Sequence, residues 1–230
     1  MARAPPGADR RGVIAIVEPR RDQLVPAARL LGAVLGFEPA DAVPPWLMLT
    51  AAECGGLVLV ACSGDELIGA SFAIHGVRDR VPFLFSCGLA VAPGFRRRGV
   101  GRALKLEQRR QALRRGIEVI RWTADPLNGP GLALYLSGLG ARLTAYHSEL
   151  YDGLRAGDGV PPDDVEIEWR LGGGPVRAAA AGTVVKVASD GDRLARRLQV
   201  REAMTAALAD GGVGVAAEPC SGGFLVRFAP

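Results

Sequence analysis

The sequence has no long apolar segment, few histidines and no paired cysteines. No apolar run approaches the ~18 residues that a membrane-spanning helix requires, so a membrane protein is not expected. The 230 residues include only two histidines, and the four cysteines form no CxxC pair. That inventory argues against a zinc site and favours reduced, buried thiols over a disulfide framework. We therefore expect a cytoplasmic protein that binds no metal.

The composition is otherwise that of a globular protein. Hydrophobic residues make up 49% of the chain and charged residues 23%, which supplies enough apolar side chains for a core. Residues 1–12 carry arginines and prolines but no apolar stretch of the kind that precedes a cleavage site. We interpret them as a flexible tail and not as a signal peptide.

The positive charge is concentrated in one segment. The chain has a formal net charge of +4, yet residues 96–115 contain nine basic residues and one acidic residue, Glu107. The rest of the chain is therefore net acidic. A basic cluster of this kind is typical of a site for a polyanion. Both a nucleic acid and a nucleotide cofactor with several phosphates fit this charge.

Hydrophobic patterns predict a mixed α/β fold. Apolar runs at residues 57–62, 67–74 and 81–91 are separated by short turns and predict an antiparallel meander. Gly88 in the third run indicates a bulge or a close approach to the main chain. The pattern then changes to a helix at residues 99–115. The other predicted elements are strands at 13–17, 117–122, 143–150, 165–171, 184–187, 213–217 and 224–228, helices at 22–35, 132–139 and 192–209, and a loop at 38–46.

The chain is predicted to contain one main domain and a small C-terminal unit. After the tail at residues 1–12, the main domain spans residues 13–171. Residues 172–183 include Gly-Gly-Gly-Pro and an alanine run, which predict a linker. Residues 184–230 form a small α/β unit that is expected to pack on the main domain.

The loop Arg-Arg-Arg-Gly-Val-Gly-Arg at residues 96–102 carries the clearest binding signal. Gly99 and Gly101 allow the main chain to approach a ligand with no Cβ in the way. The first turn of the following helix has N–H groups without helical partners, and with the helix dipole they form an anion site. The arginines add forked hydrogen bonds to phosphate oxygens. The loop therefore predicts a pyrophosphate site; the alternative is a basic surface helix after a flexible turn.

Two common phosphate-binding motifs do not fit this loop. The dinucleotide fingerprint GxGxxG fails because Leu104 stands where its third glycine would be. The Walker pattern fails because no Gly-Lys-Ser/Thr follows the glycines. The assignment of the loop therefore depends on the order of strand, spacer and helix around it.

The strand at residues 84–91, the spacer at 92–95 and the loop at 96–101 together resemble the acyl-CoA-binding motif of the GNAT superfamily of N-acetyltransferases. In that motif a strand ending in hydrophobic-x-Val-x-Pro leads into Arg/Gln-x-x-Gly-x-Gly. A narrower likeness, over roughly residues 13–170 and the C-terminal tail, is to a GNAT subgroup with members that resemble amino-acid N-succinyltransferases. The segments that carry this likeness are 55–59, 104–105, 108–109, 121–127, 139–141, 161–169, 203–215 and 224–228.

The resemblance implies a fold and a cofactor site. The fold would be a central, mostly antiparallel and splayed sheet flanked by helices. The co-substrate would be acetyl-CoA or another acyl-CoA, with the pantetheine arm paired to the main chain of the strand and the pyrophosphate held by the loop. A strand N–H would also polarise the thioester carbonyl. The implied cofactor-binding residues are Leu89, Ala90, Val91, Arg96, Arg97, Arg98, Gly99, Val100, Gly101 and Arg102.

The resemblance also implies direct attack of an amine on the thioester, with acid and base assistance. Tyr135 is the candidate acid, although it lies one residue further from Gly140 than the family pattern; packing is the alternative. Asp125 is a candidate base or ammonium ligand, with a turn role as the alternative. Ser86, on the central strand, is a third candidate catalytic-site residue that would bind the acceptor, with ordinary packing as the alternative. Cys87 stands where the subgroup tends to have histidine, which argues against a base there.

These features predict an N-acyltransferase that moves an acetyl or succinyl group to the primary amine of a small molecule, with an amino acid as one candidate. A non-enzymatic acyl-CoA-binding module is the first alternative. A nucleic-acid binder is the second, but the chain lacks interleaved aromatic residues and a DNA-binding motif. We expect no nucleic-acid or membrane partner. The acceptor and a homodimeric state are left open.

Overall fold

The computed structural model describes residues 14–38, 41–153, 159–173 and 182–230. The predicted tail at 1–12 and most of the predicted linker at 172–183 lie outside these ranges. In chain order the described elements are β1 (Ile14–Val17), α1 (Leu24–Leu35), α2 (Pro45–Glu53), β2 (Leu57–Ser63), β3 (Glu66–Arg78), β4 (Val81–Val91), α3 (Val100–Arg114), β5 (Val119–Ala124), α4 (Gly129–Leu132), β6 (Arg142–His147), β7 (Asp164–Arg170), β8 (Thr183–Ala188), α5 (Arg193–Ala209), β9 (Val213–Cys220) and β10 (Gly223–Ala229).

The ten strands of the described ranges belong to one sheet. Their order is β1-β2-β3-β4-β5-β7-β6-β9-β10-β8. The strands β2, β3 and β4 form the predicted antiparallel meander. The fold is thus the mixed α/β architecture that the sequence predicts, with helices on both sides of a mostly antiparallel sheet.

The sheet separates between β4 and β5. These two strands are parallel and pair only at Leu84 with Ile120 and at Phe85 with Arg121. Beyond Phe85, β4 continues to Val91, and no described strand pairs with it on the β5 side. A row of main-chain groups is therefore exposed in the middle of the sheet, where a ligand can add as a strand.

The strand β2 shows how the two sides of the sheet are filled. Its residues alternate in direction, so Val58 and Val60 pack with α1 and α2, whereas Leu59 and Ala61 pack with α3. The helix α1 ends at Gly36, whose φ of 71° lies in the left-handed region that glycine adopts without strain. None of the helices in the described ranges is both long and apolar enough to span a bilayer.

The helix α2 is the clearest difference from the predicted elements. Residues 38–46 are predicted as loop because of their prolines, but α2 begins within that stretch, at Pro45. Proline is favoured in the first turn of a helix, where its missing N–H has no helical partner to lose. The start of α1 also differs slightly, because residues Arg21–Gln23 form a 3-10 turn before the helix.

The C-terminal residues extend the same sheet. The strand β9 joins β6 through the pair Leu143 and Gly214. A Cβ at Gly214 would lie 2.7 Å from the Leu143 Cβ, so only glycine allows this close pairing. Farther along, Arg201 on α5 lies 2.7 Å from the buried carboxylate of Asp163. The helix α5 is thereby fixed beside Asp163, which immediately precedes β7.

Candidate active site

The helix α3 begins with main-chain donors that have no helical partner. Gly99 is the N-cap and takes a φ of 82°. The first helical bond of the turn runs from the Ala103 N–H to the Gly99 carbonyl, at 2.9 Å. The N–H groups of Val100, Gly101 and Arg102 precede that bond and are available to an anion, as the sequence predicts.

The two glycines of the loop have different structural roles. A Cβ on Gly99 would meet nothing within 4 Å, so the glycine is required by its positive φ and not by space. A Cβ on Gly101 would lie 3.6 Å from the Leu134 side chain and 3.7 Å from the side chains of Leu89 and Val91. Gly101 therefore keeps open the gap between the start of α3 and the exposed edge of β4.

The arginines around this gap are exposed, and three of them contact the protein. Arg96 Nε donates to the Val91 carbonyl at 3.2 Å. The Arg98 guanidinium lies 5.4 Å from the centre of the Phe95 ring. Arg102 Nε reaches the Gly138 carbonyl at 3.4 Å. These contacts hold several guanidinium groups at the mouth of the gap, where they attract a phosphate-bearing ligand.

A β-bulge lies in the exposed part of β4. Phe72 on β3 pairs with Gly88, and Ala73 pairs with Ser86, so Cys87 is the extra residue. The predicted bulge is therefore found one residue before Gly88. A bulge turns neighbouring main-chain groups away from the regular ladder, and such groups serve as donors to a bound carbonyl.

The bulge opens into a cavity of about 640 Å³. Its wall brings together the three predicted catalytic residues, Ser86, Asp125 and Tyr135. A second cavity of about 740 Å³ shares Asp125 in its lining and extends to α5. The residues of the first cavity are Val34, Leu35, Phe37, Asp41, Val43, Phe85, Ser86, Cys87, Thr123, Ala124, Asp125, Asn128, Tyr135, Tyr151 and Asp164.

Tyr135 lies on a π-helical turn, Ala133–Gly138, that follows α4 directly. A π turn contains more residues than an α turn. It therefore accommodates the one additional residue that separates Tyr135 from Gly140 in comparison with the family pattern. The ring packs edge-on against Trp122 with 5.0 Å between centroids. Burial raises the pKa of the phenol to about 12, so it stays protonated near neutral pH.

Asp125 is already engaged by other groups. Its Oδ1 accepts the Leu127 N–H at 2.8 Å, which is the predicted turn role. The same oxygen lies 2.9 Å from Nη2 of the buried Arg197, and Oδ2 lies 3.9 Å from Arg193. These arginines come from α5, so the C-terminal helix reaches this wall, although neither arginine was singled out from the sequence.

The Cys87 thiol is not a nucleophile at neutral pH. Burial raises its pKa to about 11, so the thiolate is rare. Its Sγ lies 3.5 Å from the Phe85 carbonyl. The side chain therefore lies at the bulge and lines the cavity as a small neutral group.

Lys105 is the main residue that the prediction did not single out. Only 1% of it is exposed, although it lies on the basic helix α3. Its Nζ donates to Ser86 Oγ at 2.8 Å and to Gln108 Oε1 at 3.2 Å, and it lies 3.9 Å from the centre of the Trp122 ring. Desolvation lowers the pKa of the ammonium to about 7. Two sequence signals were available: Lys105 lies in a segment of the subgroup likeness, 104–105, and Lys105 and Lys186 are the only lysines in the chain.

The described residues contain no group of three or more histidine, cysteine or acidic side chains placed to hold a metal.

The sequence matches the family model of the acetyltransferase (GNAT) family over residues 28–141. A comparison with curated protein sequences finds no significant match.

Solved structures share the fold at low sequence identity. An IAA acetyltransferase from Bacillus cereus is 18% identical over 68% of this chain and 99% of its own, with a TM-score of 0.53. The ribosomal-protein-S18-alanine N-acetyltransferase from Escherichia coli is 19% identical over 69% and 94%, with a TM-score of 0.55. A GNAT family acetyltransferase from Elizabethkingia anophelis with acetyl-CoA bound is 18% identical over 68% and 97%, with a TM-score of 0.52.

The family match and the shared fold agree. Residues 28–141, which carry the loop, the exposed edge of β4 and most of the cavity wall, match the GNAT family model, and the chain shares the fold of these acetyltransferases. Both findings support an acyl-CoA-dependent acetyltransferase.

Proposed function

We propose that this GNAT acetyltransferase transfers an acetyl or related acyl group from coenzyme A to the primary amine of a small molecule. The observation that supports the proposal most directly is that three structural features adjoin one another. The free N–H groups of α3 border the exposed edge of β4, and that edge ends at the bulge that opens into the cavity. These features match the pyrophosphate, the pantetheine arm and the acceptor in that order.

The cofactor would be bound mainly by the main chain. The N–H groups of Val100, Gly101 and Arg102 suit the pyrophosphate, and the nearby guanidinium groups neutralise its charge. Leu89 and Ala90 would pair with the pantetheine arm as an added strand. The thioester then lies at the bulge beside Cys87, where a turned N–H stabilises the oxyanion.

The cavity suits an amine with an apolar substituent. Its described wall combines apolar side chains with the carboxylates of Asp41, Asp125 and Asp164, and neither lysine nor arginine belongs to it. Carboxylates attract an ammonium group, and the apolar wall accommodates a hydrocarbon part. Arg193 and Arg197 line the second cavity, where they would bind the carboxylate of an amino-acid acceptor. The described wall offers no guanidinium to a dicarboxylic acyl group, which favours acetyl over succinyl donors.

Tyr135 is suited to protonate the departing thiolate. Its hydroxyl stays protonated near neutral pH because of burial, and its ring is fixed against Trp122. Asp125 would bind the ammonium form of the acceptor at the cavity wall. Holding the amine and the thioester side by side supplies a large part of the rate.

The proposal is tested by a donor-by-acceptor screen that follows thiol release. Acetyl-, succinyl- and octanoyl-CoA are combined with the D- and L-forms of phenylalanine and glutamate, with benzylamine and with spermidine. Turnover with acetyl-CoA and an apolar amine is expected. Binding of acetyl-CoA without thiol release from any combination would leave only a binding module.

The cofactor site is tested separately by Gly101→Val. Its branched side chain would fill the gap between α3 and β4, so acetyl-CoA binding should weaken at least tenfold by calorimetry. Gly172→Val is the matched control, because Gly172 lies in a turn with nothing within 4 Å of its added Cβ. Unchanged acetyl-CoA affinity in Gly101→Val would place the cofactor elsewhere.

A further inference from the structure

Lys105 is a buried amine that has no carboxylate within ion-pairing distance in the described part of the chain. Its two hydrogen-bond partners, Ser86 and Gln108, are neutral, and its remaining close neighbour is the face of Trp122. A buried lysine that only stabilises the fold usually pairs with an acid, because an isolated charge is costly to bury. This arrangement instead favours a lysine that loses its proton easily.

We propose that Lys105 is the proton acceptor of the transfer reaction and that it acts through Ser86. This role rests on the proposed transferase function. Ser86 is buried, yet it lines the acceptor cavity, and its Oγ lies 2.8 Å from Lys105 Nζ. Lys105 itself is not part of the cavity wall, so Ser86 is its connection to a bound amine.

The hydrogen bonds around Ser86 hold Lys105 in place beside it. Gln108 Nε2 donates to Ser71 Oγ at 3.3 Å and lies 3.4 Å from Ser86 Oγ, so its Oε1 faces Lys105. These contacts tie α3 to β3 and β4 and keep the Lys105 amine aimed at Ser86. When Lys105 is neutral, its lone pair can accept the hydroxyl proton of Ser86 while Ser86 accepts a proton from the amine.

The groups that face Lys105 allow this proton uptake. On β4 the titratable neighbour is Cys87, which is neutral at pH 7 because burial raises its pKa to about 11. On β5 the neighbour is Trp122, and behind it Tyr135 is also neutral near pH 7. The pKa of Lys105 itself is lowered to about 7 by desolvation. The neutral and charged forms of the lysine are therefore both populated at physiological pH.

The proton balance of the step is complete. The acceptor enters as an ammonium ion and gives one proton to Ser86, which passes its own proton to Lys105. The neutral nitrogen attacks the thioester carbonyl carbon, the C–N bond forms, and the C–S bond breaks with its electron pair on sulfur. The second proton of the nitrogen goes to the thiolate through Tyr135, and Lys105 releases its proton to solvent through Ser86.

A lysine is the basic side chain that this role requires. Arginine stays protonated in proteins and cannot accept a proton in this pH range. Of the 28 lysines and arginines, only Lys105 and Lys186 are lysines. One of these two lysines therefore occupies the buried site in a chain whose other basic residues are arginines. Lys186 lies on β8, is exposed and provides the matched control.

The first test measures the titration of Lys105 directly. Protein labelled with ¹³C at lysine Cε gives two signals, and the Lys186→Met variant assigns them. The Lys105 signal should titrate near pH 7. A Lys105 signal that does not change between pH 6 and pH 9 would overturn the proposal.

The second test compares pH–rate profiles of wild type, Lys105→Met and Lys186→Met. The assay uses acetyl-CoA and the panel amine that wild type acylates fastest. Lys105→Met should lower kcat at pH 7 at least 100-fold, leave the KM for acetyl-CoA within threefold and abolish the limb of the kcat profile near pH 7. Ser86→Ala should show the same change in profile, whereas Lys186→Met should match wild type.

The outcomes separate this role from the transferase function. Turnover that persists in Lys105→Met with the same pH limb refutes the role alone. A uniform loss of kcat at all pH values, together with a lower Tm, would mean that Lys105 only stabilises the fold and would also refute the role. If wild type releases no thiol with any amine of the panel, the transferase proposal fails, and the role of Lys105 fails with it.

Discussion

Replacing Lys105 by methionine should make the free energy of unfolding less dependent on pH. The lysine has a pKa of about 7 in the folded protein against an ordinary value of 10.5. Between these values the unfolded chain binds a proton that the folded chain does not, so wild-type stability rises with pH in that window. Below pH 7 both states are protonated and the full cost of the buried charge is present.

The size of the effect follows from the size of the pKa change. Each pKa unit corresponds to ~1.36 kcal/mol, so the wild type should gain about 2–3 kcal/mol relative to Lys105→Met between pH 7 and pH 9. Methionine keeps a similar length and does not titrate. The stability of Lys105→Met relative to the wild type should therefore be highest at pH 6.

Urea denaturation followed by tryptophan fluorescence at pH 6, 7, 8 and 9 measures this difference. The series stops at pH 9 because the ordinary pKa of a cysteine thiol is 9.0 and that of Cys87 in the folded protein is higher. Above pH 9 this difference also makes the free energy of unfolding depend on pH. Lys186→Met should parallel the wild type throughout. A stability difference between wild type and Lys105→Met that is constant from pH 6 to pH 9 would refute the interpretation of Lys105 as a neutralisable buried amine.

Three further substitutions test other parts of the structure. Gly99→Ala should cost about 1–2 kcal/mol, because a side chain is strained at its positive φ, and thermal melts should show no loss in the control Gly94→Ala. Tyr135→Phe should lower kcat about 10- to 100-fold with little change in KM, if the phenol protonates the thiolate; unchanged kcat would leave it a packing role. Asp163→Asn should cost about 3 kcal/mol in urea denaturation, because Arg201 loses its buried partner; a loss below 1 kcal/mol would contradict that pairing.

The local structure of the proposed cofactor end could be predicted because it depends on adjacent residues. The glycines and arginines of residues 96–102 are adjacent in sequence, and the start of a helix exposes N–H groups wherever a helix begins. The strand β4, the bulge next to Gly88 and the limits of α3 follow from short-range patterns of the same kind. The predicted binding roles of these residues await the acetyl-CoA measurements above.

The acceptor end could be predicted only in part because its residues come from distant segments. Ser86, Asp125 and Tyr135 were candidates, and they line one cavity. Their partners were not apparent: Arg197 reaches Asp125 from α5, and Lys105 reaches Ser86 from α3. Sequence patterns mark which helix face is apolar, but they do not show which neutral groups surround one buried amine.

The sequence alone therefore determined the family resemblance, the order of most elements and the loop at the start of α3, because adjacent residues and short periods control each of them. The tertiary structure decided the charge state available to Lys105, the partners of Asp125 and the joining of β9 to β6. These depend on desolvation and on contacts between segments far apart in the chain, which act only after the sheet has formed.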